Sequence, residues 1–364
     1  MTRREAALSA GLVFAVALLV RWYAASLVVF PKPEDTAYYV DVARNLLAGR
    51  GLVTDALWSF QTDPLIVPRE AFEVWLPLPT LAAAVPMALF GSTFAAAQIS
   101  SVLIGALVPV LAWRLAADVA AERALPAGRA RTLAVGTGLT AAVSLPLILH
   151  STLPDSTMSF AALTLGAVAL MTRLSRMDRP VGLLVGLGAV LGLAALTRNE
   201  ALWLALTWAI VAWRLPRPRR ERIGLIALPA VVALAIFAPW MVRNGLAFGS
   251  PLPGQALTNA LSVQGTDIFA WSDPPTLARY LAVGPARLLE MRVVGIEHNL
   301  LDVLLLPGAP LSVIGLLALP WLVRSRAVQP LLIVSAITFL VTGLVFPVST
   351  TWGTFLHAAG ASHV

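Results

Sequence analysis

Long apolar runs separated by short polar clusters make up most of the chain. The first extends from about Leu8 to Phe30 behind Arg3 and Arg4. Its length and the lack of a small-residue cleavage site mark it as a retained first span rather than a signal peptide. Further runs predict spans at Phe94 to Ala117, Thr132 to His150, Ser156 to Thr172, Val181 to Thr197, Ala201 to Trp213, Ile223 to Val242, Leu304 to Val323 and Pro330 to Pro347. Several fall short of the about 20 residues a full crossing takes, so tilt or local thinning is expected. The polar stretch after the first span, PKPEDTAYYVDVARNLLAGRGL, carries Tyr39, Val42, Leu46 and Leu47 at helical spacing and ends on Gly49 and Gly51. That pattern predicts an amphipathic helix on the membrane surface.

Composition agrees with the pattern. Of 364 residues, 58% are hydrophobic and 12% charged, with a mean hydropathy of +0.81, whereas an ordinary soluble domain is about a quarter charged. A net charge of +7 does not make the chain a nucleic-acid binder, because the charges lie in loops between apolar runs. The chain has no cysteine, which excludes disulfides, thiolate catalysis and cysteine metal sites together. The fold class expected is therefore all-α and polytopic.

Arginines at Arg114, Arg123, Arg129 and Arg131, at Arg173, Arg176 and Arg179, from Arg214 to Arg222, and at Arg324 and Arg326 assign those loops to the cytoplasm. The opposite loops hold most carboxylates. The region from Val74 to Asp118 must then cross an odd number of times, which fits one crossing at Phe94 to Ala117 with Val74 to Phe90 lying at, or re-entering, the outer interface. The expectation is a single transmembrane domain over 1–347 with outer loops at 31–93 and 245–303, and an outer-face tail at 348–364. The loop from Gly245 to Asp302, amphipathic around Leu277 to Val294, reads either as a cover over a site or as a passive connection.

Candidate chemistry collects on the outer side. Glu34 and Asp35 stand at the start of the predicted surface helix, as catalytic carboxylates or as its cap. Asp155, in Leu153-Pro154-Asp155-Ser156, is a second acidic candidate or the cap of the next helix. Thr197-Arg198-Asn199-Glu200 interrupts an apolar run, so Arg198 and Glu200 form a structural ion pair or serve an anionic ligand. Pro239-Trp240-Met241-Val242-Arg243-Asn244 closes another span. Lys32, the single lysine, steers an anionic head group or anchors at the interface, and Arg21 faces the same depth or snorkels. His150, His298, His357 and His363 all lie toward the outer side, but no two stand at ligand spacing on one helix, so no metal site is predicted.

The order of Glu34-Asp35, Tyr38-Tyr39 and Ala43-Arg44-Asn45-Leu46, then Leu153-Pro154-Asp155, then Gly192 to Arg198, then Pro239-Trp240, Arg243-Asn244 and Phe248-Gly249-Ser250-Pro251 resembles the bacterial GT-C membrane glycosyltransferases. These are relatives of the protein O-mannosyltransferases and of the lipid A aminoarabinose transferase. The resemblance runs from about Arg21 to Pro253 and weakens beyond, and the outer segment Thr351 to His357 stands where many members continue, as in a short or truncated member. It implies a GT-C-like helix bundle in a bacterial plasma membrane. The implied activity is transfer of one sugar from a polyprenyl-phosphate donor to a lipid, glycan or protein acceptor at the outer face, by an inverting displacement. By position, the resemblance makes Asp35 the general base, with Glu34 able to exchange roles where the family often has Asp. Asp155 becomes the second acidic site, and Arg198 and Arg243 the lipid-phosphate ligands, with Glu200, Tyr38, Tyr39, Lys32 and Arg21 around the substrate. A monophosphate is a fair leaving group, so no cofactor is demanded. The other readings are a non-catalytic GT-C-like lipid-binding or scaffold protein and a transporter, though the latter should show internal repeats, and none is found.

Overall fold

The computed structural model describes all residues except Met1, 32–33, 58–65, 178–179, 255, 270–272 and Val364, and the backbone alone of Glu34. Among the described residues the regular elements are helices apart from one two-stranded hairpin. Helix α1 (Arg3–Ser26) starts on a capping box in which Thr2 and Glu5 serve each other's backbone N–H groups. The predicted surface helix is α2 (Glu34–Leu47). The short strands β1 (Val53–Thr54) and β2 (Arg69–Glu70) pair antiparallel before α3 (Leu78–Phe90). Then follow α4 (Phe94–Glu122), α5 (Ala127–Val143), α6 (Leu145–Ser151), α7 (Ser156–Leu174), α8 (Val181–Ala195), α9 (Ala201–Trp213) and α10 (Arg219–Phe248). The remainder comprises α11 (Ala256–Leu261), α12 (Leu277–Ala282), α13 (Gly284–Leu305), α14 (Ala309–Leu322), α15 (Gln329–Leu344), α16 (Pro347–Thr350) and α17 (Thr354–Ala358).

This is an all-α, multi-pass membrane architecture. Helices α1, α4, α7 and α10 are each long and apolar enough to cross a bilayer, and two bent pairs, α5 with α6 and α13 with α14, raise the number to six. The run expected as one span from Thr132 to His150 is broken at Ser144 by 57°, because Pro146 in the first turn of α6 cannot continue the helix of α5. The apolar helices α3, α8, α9 and α15 are shorter, at 10–17 residues. The stretch expected as a loop with an amphipathic segment up to Val294 is instead a 22-residue helix, α13, running on to Leu305 before a 106° bend into α14. Asn299 on α13 explains the continuation: its amide donates to Phe339 O and Thr342 Oγ1 on α15, and its carbonyl accepts from Thr350 Oγ1.

Polar contacts separate the two ends of the bundle. At one end the Glu122 carboxylate accepts from Ser325 Oγ at 2.8 Å, Arg326 N at 2.8 Å and Ala327 N at 3.0 Å, with Arg176 at 3.4 Å. Arg217 donates to Met177 O beside them. The loops that carry the arginine clusters therefore meet one another. The loops at the opposite ends of the same helices meet around α2. Small residues let α8 and α10 close: a Cβ on Gly188 would lie 2.7 Å from Pro229 O, and one on Gly192 would lie 2.8 Å from Ile236 Cβ.

Helix α2 does not rest on a surface by one face. Tyr38, Tyr39, Val40, Val42 and Ala43 are all buried, the helix being wedged between α3 and the 71–76 segment. Thr80 Oγ1 donates to Tyr39 O, and Asn45 Nδ2 donates to Val53 O, which ties the hairpin to the helix. Gly49 ends the segment with φ +77°, a conformation that favours glycine.

Candidate functional site

Three chain segments far apart in sequence meet at the N-terminus of α7. Asp155 is the N-cap of that helix, its Oδ1 accepting from Thr157 N at 2.7 Å. The capping role weighed against a functional one is thus real for one oxygen. The other oxygen has no hydrogen-bond partner, although the residue is only 4% exposed. Ser156, the first residue of α7, receives Nη1 of Arg198 at 2.9 Å. Arg198 sits in the break between α8 and α9, where Leu196 N and Thr197 N close the last turn of α8. Its Nε and Nη2 donate to the two oxygens of Glu200 at 3.2 and 2.9 Å. The structural ion pair is present, and it uses part of the fork: with Ser156 included, three of the five guanidinium N–H donors are engaged.

Helix α2 supplies the third segment. Its first turn carries Asp35, inside the helix rather than at the cap position before it. The Tyr39 ring is buried between Phe72 and Trp75, with its hydroxyl on the side of Ser156. Burial pushes the Tyr39 hydroxyl pKa up, and the charges of Asp35 and Asp155 push the same way against Arg198. Burial pulls Arg198 down, but Glu200, Tyr39 and Asp35 outweigh it, so the guanidinium holds its proton more firmly than usual. Asp155, Arg198 and Glu200 are thus grouped at Ser156, and the charge of Asp35 acts on Tyr39 and Arg198 beside them.

Two histidines join it. His357 on α17 meets Thr157 Oγ1 through Nδ1 at 2.7 Å, and its ring stands 5.4 Å from that of His150 on α6. Burial pushes the His357 imidazole down to about 4, with Arg198 and His150 adding to the fall against Asp155 and Glu200. Burial raises the Asp155 carboxyl, but His150, His357 and the Thr157 N–H outweigh it and hold it below the ordinary carboxylate range. No spacing rule could have found this grouping, since His150 and His357 are separated by the whole second half of the chain. The one sequence signal was that every histidine fell on the same side.

Other predicted residues lie apart. Arg243 is spent on the hairpin: its fork donates to Ala71 O at 2.7 Å, to Leu52 O at 3.3 Å and to the Glu70 carboxylate, while its plane lies over Trp240 and Phe248. Tyr38 accepts from Phe72 N at 2.7 Å and packs edge-on against Trp75, serving that same loop. Arg21 does not snorkel. It is completely buried in α1, donating to Ala142 O at 2.8 Å, Ala141 O at 3.4 Å and Ser151 Oγ at 3.0 Å. It caps the exposed carbonyls where α5 breaks into α6, which is the physical reason a buried arginine is tolerated there. Lys32 and the side chain of Glu34 lie outside the described residues.

No family model matches the chain, and no curated protein does. Among solved structures, ArnT from Cupriavidus metallidurans is similar in two states. The apo state aligns with a TM-score of 0.46 at 19% identity over 96% of this chain and 73% of that one. The state bound to undecaprenyl phosphate aligns with a TM-score of 0.45 at 17% identity over 97% and 77%.

Proposed function

We propose that the chain is a GT-C-type membrane glycosyltransferase that moves one sugar from a polyprenyl-phosphate donor to an acceptor hydroxyl or amine at the outer membrane face. What supports the reading is that Asp155 and Arg198 meet at Ser156 from distant segments, with the charge of Asp35 acting on the Arg198 guanidinium. Buried carboxylates beside a permanently charged guanidinium are what an inverting transfer needs. The acceptor oxygen or nitrogen attacks the anomeric carbon as its proton passes to Asp35. The bond from that carbon to the phosphate oxygen breaks through an oxocarbenium-like state, and the departing phosphate takes its negative charge to Arg198. Asp155, held by Thr157 N, orients a sugar or acceptor hydroxyl. Arg243 acts at one remove, holding the hairpin and the 71–76 segment that covers α2 against α10.

The decisive test is Asp35→Asn. The residue lies in the first turn of α2, where a negative charge stabilises a helix by about 0.3–1 kcal/mol. The variant should therefore fold with a small loss of thermal stability. Transfer with purified polyprenyl-phosphate sugar should nevertheless fall by about two to four orders of magnitude, the usual worth of a positioned base. Full turnover in a folded Asp35→Asn protein would make the carboxylate structural and move the base to Glu34 or Asp155, whereas no transfer by the wild-type chain would favour a non-catalytic scaffold.

A further inference from the structure

The α6–α7 turn and the C-terminal α17 bring together three groups with ligand chemistry. His150, Asp155 and His357 each offer one ligand atom, and these atoms lie within 4.8 Å of one another. His150 Nδ1 and Asp155 Oδ2 face each other at 3.7 Å. That is too long for a hydrogen bond, and both atoms are buried with no hydrogen-bond partner. Two facing orphan polar atoms are costly unless something stands between them. A separation of 3.7 Å is close to the edge of a tetrahedron about a metal with bonds of about 2.0–2.1 Å.

We propose that His150, Asp155 and His357 form a three-ligand site for a divalent transition metal of the zinc type. Two imidazole nitrogens and one carboxylate oxygen suit Zn2+ and its spectroscopic substitute Co2+ far better than Mg2+ or Ca2+, which take all-oxygen shells. The outer layer is in place. His357 is oriented by the Thr157 hydroxyl, and the second oxygen of Asp155 is held by Thr157 N, so one residue fixes two ligands. Closing the triad from 4.8 Å to a bonding set asks for a movement of less than about an ångström per group. Three protein ligands leave one position of the tetrahedron open for water or another oxygen ligand. The metal would also fasten α17 to the mouth of α7, joining the C-terminal segment to the cluster around Ser156. The site stands on these ligands alone and does not depend on the transfer reading.

The test is metal binding by the purified full-length chain in detergent, stripped with a chelator and dialysed against Zn2+ or Co2+. Wild type is expected to retain about one metal per chain and to give the strong visible absorption of tetrahedral Co2+. His150→Ala and His357→Ala should lose both signals. Thr157→Val, which keeps all three ligands, should weaken binding by about 10- to 100-fold. His298→Ala, on α13 beside Asp302, should bind as wild type does. Because the readout is metal content and the Thr157 and His298 variants bracket it, a misfolded histidine variant does not decide the outcome. Two results would overturn the site: no metal on wild type, which would leave a bridging water between His150 and Asp155, or equal binding by wild type and both histidine variants.

Discussion

Arg198 shows how much of a charged residue's role is decided by what else its donors reach. Its Nε and Nη2 hold Glu200 while Nη1 reaches across to Ser156, next to the Asp155 cap. Removing it leaves Glu200 without its cation, takes one hydrogen bond from Ser156 and removes a positive charge that acts on Tyr39 and Asp35. Arg198→Ala should thus raise the apparent KM for a polyprenyl-phosphate donor and lower kcat. Arg198→Lys should restore only part of either, because an ammonium cannot hold Glu200 through two parallel bonds and still reach Ser156. Steady-state kinetics with varied donor would show it, and an unchanged donor dependence in both variants would place the phosphate elsewhere. The residue types at this site were legible in the sequence, because charges inside an apolar run must be paired or functional. Which of two guanidinium groups stays near the carboxylates was not. Arg198 and Arg243 look alike in the chain, and only packing sends Arg243 to the carbonyls of Leu52 and Ala71.

At the scale of elements, the placing of Arg198 depends on helices that approach closely at glycine. Gly188 and Gly192 lie one turn apart on α8 against Pro229, Val232 and Ile236 of α10, and the same two helices lead into Arg198 and Arg243. Gly188→Ala would place a methyl group 2.6 Å from Val232 Cβ, and the contact includes backbone that cannot rotate away. A cost of about 1–3 kcal/mol is expected. The thermal midpoint of the detergent-solubilised protein should fall, whereas Gly186→Ala on the same helix, with open space at its Cβ, should leave it in place or raise it slightly. Equal midpoints for the two variants would show that α8 and α10 do not pack as described. Helix α2 makes the complementary point. Its periodicity was plain from Tyr39, Val42 and Leu46, but an apolar stripe says that one face is covered without saying by what. Here the 71–76 segment and Trp240 cover it, so the helix is built into the fold.

At the scale of the whole molecule, the arginine loops gather at one end around Glu122 and the carboxylate-bearing turns gather at the other around Ser156. The positive-inside rule then predicts that the first end faces the cytoplasm. Since the chain contains no cysteine, single introduced thiols report without background. Arg220→Cys, at the start of α10, should react with an impermeant maleimide only after the membrane is opened, whereas Leu57→Cys, exposed in the loop after β1, should react in intact cells. Labelling of both from one side would reverse or break the arrangement.

What the sequence determined by itself follows from the cost of putting polar groups into hydrocarbon. That cost confines charges to loops, sets the positions of the apolar helices to within a few residues and forces the few interior charges to be paired or used. It could not show that α13 continues past the amphipathic stretch to Leu305, since a helix anchored by Asn299 to α15 and α16 owes its length to partners 40 to 51 residues away. Nor could it show that Arg21 caps the break between α5 and α6, or that His150 and His357 face Asp155. Those are contacts between segments 5 to 200 residues apart, and hydrophobic patterning carries no information on which loop ends meet. Close packing of small residues between helices decides that, and with it which charged groups stand around Ser156.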